Sequence, residues 1–112
     1  MIIQVPQYYP YTLLVAVLTC FTIQILAFVV TYKARNKYFN KDFMSQFQEE
    51  HDTAFSGEQV PDAGFPDTGS GRYSKKLSYK GWYEVNSAQR AHMNSVEILP
   101  IFLTLVLISG LN

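Results

Sequence analysis

From Tyr11 to Tyr32 the chain reads YTLLVAVLTCFTIQILAFVVTY, an unbroken run without a charged side chain. At helical rise this run is about 33 Å long, enough to cross a hydrocarbon core of about 30 Å. A soluble fold would have to wrap such a helix in apolar partners, and a chain of 112 residues has too few to spare. A secretory signal peptide starts with a basic region and carries a shorter apolar core. Residues 1–10 hold no Lys or Arg. The segment therefore predicts an uncleaved transmembrane helix over about 11–34.

Its flanks give it a direction. Tyr8, Tyr9 and Tyr11 stand at one end, where amphipathic rings suit a membrane interface. Lys33, Arg35 and Lys37 crowd the other. Loops facing the cytosol carry an excess of Lys and Arg, so Lys33 and the polar residues after it are expected on the cytosolic or equivalent side.

A second apolar run, Ile98 to Leu111, is too short to span alone. Extending it back into WYEVNSAQRAHMNSVE gives a full crossing over about 82–111, antiparallel to the first. This takes Glu84, Arg90, Glu97 and the kink-prone Pro100 into the helix. Ionisable groups at membrane depth are costly unless they face protein or a wet cavity. The second helix therefore needs neighbours. The fold expected is an all-α integral membrane domain: two antiparallel helices joined by a long polar loop, 35–81.

That loop is segregated by charge. Asp42 to Asp67 holds seven acids and no Lys or Arg, after which Arg72, Lys75, Lys76 and Lys80 restore the balance. Gly57, Pro61, Gly64, Pro66, Gly69 and Gly71 interrupt any long helix or strand. The ordinary reading is a solvated connector; a loop this long can also be functional or held by partners.

Composition removes several functions. Nine basic and nine acidic residues cancel, which takes away the overall charge a nucleic-acid partner requires. One cysteine, Cys20, excludes an internal disulfide and a multi-cysteine zinc site, and His51 and His92 lie far apart, so no metal is expected. Cys20, inside an apolar helix, reads as a small packing residue. Asp67-Thr68-Gly69-Ser70 spells the aspartic-protease tetrapeptide. That chemistry needs two such aspartates held by β-structure, and Pro66 stands where a strand residue should be. It reads as a chance match.

The chemistry-bearing pattern lies on the second helix. At 100° per residue, Arg90, Asn94 and Glu97 fall within about 60° of one another, with Tyr83, Asn86 and Ser87 beside them. Arg90 and Glu97 are about 10.5 Å apart along the axis, too far for a direct pair. A cation and a carboxylate at this separation, with an amide between, suit the two ends of a small zwitterion. The same stripe also suits a buried network tying this helix to another. His92 falls on the far side with Ala88 and Leu99, and reads as a packing residue. On the first helix Gln24, Thr31 and Arg35 share a face, flanked by Cys20 and Ala27. This weakly polar face is the one expected to turn toward the bundle, with Arg35 at its end able to meet an anion.

Asn86-Ser87-Ala88-Gln89-Arg90-Ala91-His92-Met93-Asn94-Ser95-Val96-Glu97, with Pro100-Ile101-Phe102-Leu103 after it, resembles the second-helix signature of the membrane-associated eicosanoid and glutathione metabolism proteins, the MAPEG superfamily. The Gln89-Arg90-Ala91-His92 run and the Lys33-Ala34-Arg35-Asn36-Lys37-Tyr38 exit resemble its microsomal glutathione transferase branch. The resemblance implies a four-helix bundle that trimerises, with glutathione held between protomers near the cytosolic side. It implies glutathione contacts for Arg90, Asn94 and Glu97, and by looser matching for His92 and Arg35. Ile98 departs from the tyrosine of leukotriene-forming relatives, which speaks against that activity.

Only the first half of such a bundle corresponds to this chain. The arginine and tyrosine that resemblance would assign to thiolate activation fall in the other half. The expectation is a non-catalytic membrane subunit, packed in a homo-trimer or a larger membrane complex. The alternative is half of a glutathione-dependent transferase or peroxidase completed by another chain. Either an endoplasmic reticulum or a mitochondrial membrane fits.

Overall fold

The computed structural model describes residues 2–112. Two long helices dominate: α1, Tyr9–Tyr38, and a second one, Tyr79–Ser109, numbered α4. Between them lie two short helices, α2 (Lys41–Ser45) and α3 (Gln48–Ala54), and two 3-10 turns at Asp62–Gly64 and Ser74–Lys76. No strand occurs among the described residues.

Both long helices run past their expected bounds at the polar end, α1 to Tyr38 and α4 back to Tyr79. Local chemistry explains this. Pro10 lies in the first turn of α1, where its missing N–H costs nothing. Asn40 caps α2, accepting from the Phe43 N–H at 2.9 Å, and so separates it from α1. Ser78 caps α4, accepting from the Gly81 N–H at 3.2 Å. α4 stays helical through Pro100.

The two helices pack along their length through small residues. Ala16 and Ala27 of α1, and Gly81, Val85 and Ala88 of α4, are buried. Gly110 lies so close to Thr12 that a Cβ there would meet the Thr12 methyl at 2.6 Å. Tyr9 donates its hydroxyl to the Leu107 carbonyl at 3.2 Å, and Tyr8 donates to that of Asn112. At the opposite end Lys37 pairs with Glu84 at 2.8 Å. The start of α1 and the end of α4 therefore lie together, and the polar segment folds at the far end. The outward residues of α1, among them Leu14, Leu18, Phe21, Ile25 and Phe28, are exposed. By length and composition both helices are able to cross a membrane.

Residues 39–78 form a folded cap, where an open connector was the ordinary expectation. Phe39, Met44, Phe47 and Val85 make its core, with Tyr38, Phe43, Val60, Tyr73 and Leu77 packed around them. The aromatic residues at 39, 43 and 47 recur every four positions; their rings meet at 5.8 Å, and Phe47 meets Tyr73 at 4.7 Å. Gly64, at φ +70°, brings the backbone onto the Phe39 ring, where a Cβ would sit 2.5 Å from it. The glycines and prolines break long elements, as read from the sequence, yet they shape a compact layer on the end of the helix pair.

Candidate functional site

Arg90, Asn94 and Glu97 all lie exposed on α4. Arg90 and Glu97 lie on the side of α4 opposite Val85 and Ala88, which pack against α1, and Asn94 stands nearer the edge between the two helices. Among the described residues none of the three makes a side-chain hydrogen bond or an ion pair. The stripe thus presents a cation, an amide and a carboxylate that the other described residues leave unmatched. In a helix placed in a bilayer such groups require protein, ligand or water over them.

The polar residues just above the stripe are used differently. Asn86 donates its side-chain amide to the Gly69 carbonyl at 2.8 Å, and Gln89 donates to that of Thr68 at 3.1 Å. Both fasten the cap to α4. The boundary falls between Gln89, which serves the fold, and Arg90, which is open. Asn94 also borders a cavity of about 290 Å³ between the helices, lined by Thr19, Ile23, Ile98 and Phe102.

His92 is half-buried, on the α1 side of α4 rather than on the stripe. Arg35 is 2% exposed. Its Nε donates to the Ala63 carbonyl at 2.9 Å, and its guanidinium lies 4.1 Å from the centre of the Phe65 ring. Nη2 is buried without a hydrogen-bond partner among the described residues. The structure therefore puts Arg35 inside the cap, away from the open face of α4. Of the first helix's weakly polar face, Ala27 and Arg35 are buried and Cys20 and Thr31 half-buried, while Gln24 is exposed.

Asp67, the aspartate of the protease-like tetrapeptide, is a loop anchor. Its Oδ1 accepts from the Gly69 and Gly71 N–H groups at 2.8 and 2.9 Å and from the Ser74 hydroxyl at 2.8 Å. Its Oδ2 accepts from the Ser74 N–H at 2.8 Å. Burial pushes its pKa up, but the three amides and the hydroxyl outweigh this and leave it below the usual carboxylate range. Sequence reading missed this role because such a loop is signalled only by an Asp with closely spaced glycines after it. No cluster of three or more metal-ligating side chains occurs among the described residues.

The family model described as MAPEG family matches residues 10–112, spanning both long helices and the cap. Comparison with curated proteins and with solved structures gives no match.

Proposed function

This chain belongs to the MAPEG family, and on that premise we propose that its open stripe is one wall of a glutathione site in the membrane. In this reading α1 and α4 cross the bilayer as an antiparallel pair, with the cap on the cytosolic side, where Lys33 and Lys37 leave the span. Arg90 binds a carboxylate of glutathione, Glu97 its ammonium, and Asn94 a peptide group between them. The remaining walls come from neighbouring protomers or other membrane helices, and the Gln89-Arg90-Ala91-His92 run supports a place in the microsomal glutathione transferase branch.

One observation carries this reading: Arg90 and Glu97, on the face away from α1, and Asn94, at the edge of the cavity between the helices, are exposed and have no side-chain partner among the described residues. His92 acts from behind, by packing against α1, and Arg35 by holding the cap. Thiol activation needs donors that favour the thiolate over the thiol. The stripe offers one cation, so by itself it binds glutathione without lowering the barrier to attack. The proposed role is that of a non-catalytic membrane subunit.

The test is glutathione binding by the purified full chain in detergent, alongside conjugation assays with a generic aryl electrophile. Arg90→Ala should weaken binding about tenfold, the loss of one charge-assisted hydrogen bond, and no conjugation should be seen. Binding indifferent to Arg90→Ala and Glu97→Gln would remove the site. Turnover by the pure chain that Arg90→Ala abolishes would overturn the non-catalytic role and make Arg90 the thiolate stabiliser; turnover only when a second membrane chain is added would favour half of a glutathione-dependent transferase or peroxidase.

A further inference from the structure

Residues 68–83 carry Arg72, Lys75, Lys76 and Lys80 and no carboxylate. The nearest acids are occupied. Asp67 is buried and filled by four donors. Glu50 pairs with Arg72 at 2.5 Å, and Glu84 with Lys37 at 2.8 Å. Lys75, Lys76 and Lys80 are exposed and make no ion pair among the described residues. Lys80 falls on the Glu84 side of α4, away from Trp82, so it is Lys75 and Lys76 that leave this edge of the cap with uncompensated positive charge, while the acids of the cap lie mainly on α2, α3 and the loop after α3.

The same edge carries exposed aromatic rings. Tyr79, Trp82 and Tyr83 are exposed, with the Tyr79 ring 5.8 Å from Trp82 and 6.2 Å from Tyr83. Trp82 and Tyr79 wall a cavity of about 300 Å³ whose other sides include Ser70, Ser74, Lys75 and Leu77. Trp82 lies roughly 9 Å along the axis above Ala88, the residue level with Thr31 at the end of the charge-free span. That height is the headgroup layer, where aromatic rings and reaching lysines settle.

We propose that this pocket and its lysine rim bind the headgroup of an anionic phospholipid, seated between Lys75 and the Trp82 ring. Basic residues clustered directly beside a membrane helix attract anionic lipid. Here the cluster comes with a cavity of headgroup size and an aromatic wall suited to the glycerol region. A soluble phosphate compound would use the same cations but has no need of the exposed rings at bilayer height. The proposal rests on the membrane placement of α1 and α4 in the proposed function.

Trp82 is the sole tryptophan, so its fluorescence reports on this site directly. The full chain is reconstituted with phosphatidylserine or phosphatidylcholine, each brominated near the top of an acyl chain and diluted in unlabelled phosphatidylcholine. Brominated phosphatidylserine should quench Trp82 at roughly twenty-five-fold lower mole fraction than brominated phosphatidylcholine, about fivefold for each of the two lysines. Each lysine removed in Lys75→Gln and Lys76→Gln should cut this preference by about fivefold, with helicity by circular dichroism unchanged. Equal quenching by the two lipids overturns the proposal while leaving the membrane placement intact. A preference that survives both substitutions overturns the assignment to these lysines. A preference abolished by millimolar inorganic phosphate, at matched ionic strength, would point to a soluble ligand and overturn the lipid. Quenching by neither lipid would take Trp82 out of the bilayer surface and overturn the placement as well.

Discussion

Arg35 donates from Nε to the carbonyl of Ala63 at 2.9 Å, joining the end of the first long helix to a turn 28 residues away. The guanidinium lies between the Phe39 and Phe65 rings, its centre 5.4 and 4.1 Å from theirs. Arg35 thus turns the exit of α1 into the anchor of the cap. A cation in this setting is held by ring faces and a carbonyl, without a paired carboxylate.

Replacing Arg35 should therefore loosen the cap before it touches the stripe. Arg35→Ala is expected to cost the cap about 2 kcal/mol, the loss of a charged donor's hydrogen bond. Amide exchange over residues 62–74 should speed up roughly thirtyfold in consequence. Arg90→Ala should leave those amides unchanged. Weakened glutathione binding in Arg35→Ala with unaltered exchange would contradict the structural role.

Asp67→Asn keeps one acceptor but turns an amide NH2 toward groups that are themselves donors. The expected cost to the loop is about 1–3 kcal/mol, visible as faster proteolysis between residues 66 and 74. Ser74→Ala, which removes one of the four donors, should cost less.

The same carboxylate sets a pH dependence. Its folded pKa lies below the unfolded one, so its contribution is fully present above the unfolded value, about 3.9, and is lost as pH falls through the folded value. Cap protection should be level through neutral pH and drop only below about pH 4. A transition centred well above pH 4 would contradict the assignment to Asp67.

Two glycines with similar backbones offer a matched comparison. Gly57 and Gly64 both have positive φ, at +78° and +70°. A Cβ on Gly57 meets nothing within 4 Å, while one on Gly64 falls 2.5 Å from the Phe39 ring. Gly57→Ala should cost only the backbone strain, about 1 kcal/mol. Gly64→Ala should cost a further 1–3 kcal/mol or so from overpacking. Equal melting temperatures for the two variants would mean that Phe39 is free to move aside.

Topology is open to thiol labelling. With Cys20 replaced by Ser, Gln7→Cys and Ser56→Cys place single exposed thiols at opposite ends of the helix pair. A membrane-impermeant maleimide applied to sealed vesicles should label one of them. Labelling of both would rule out the proposed crossing.

The two long helices and the stripe are legible in the residues alone. A charge-free run from Tyr11 to Tyr32 has few ways to satisfy its backbone except by helix, and the helical period then fixes which side chains share a face with Arg90. Both are local properties, readable from spacing alone. The cap is different, because it forms through contacts between distant parts of the chain. Arg35 reaches Ala63, Asn86 reaches Gly69, and the Phe39 ring fills the space left by Gly64. Each of these contacts joins residues well separated in the chain, and no periodicity records them. The same physics divides neighbours on α4: Gln89 and Asn86 are drawn into the cap because loop carbonyls come within reach, while Arg90, one turn below Asn86 on nearly the same face, meets no cap group and stays open.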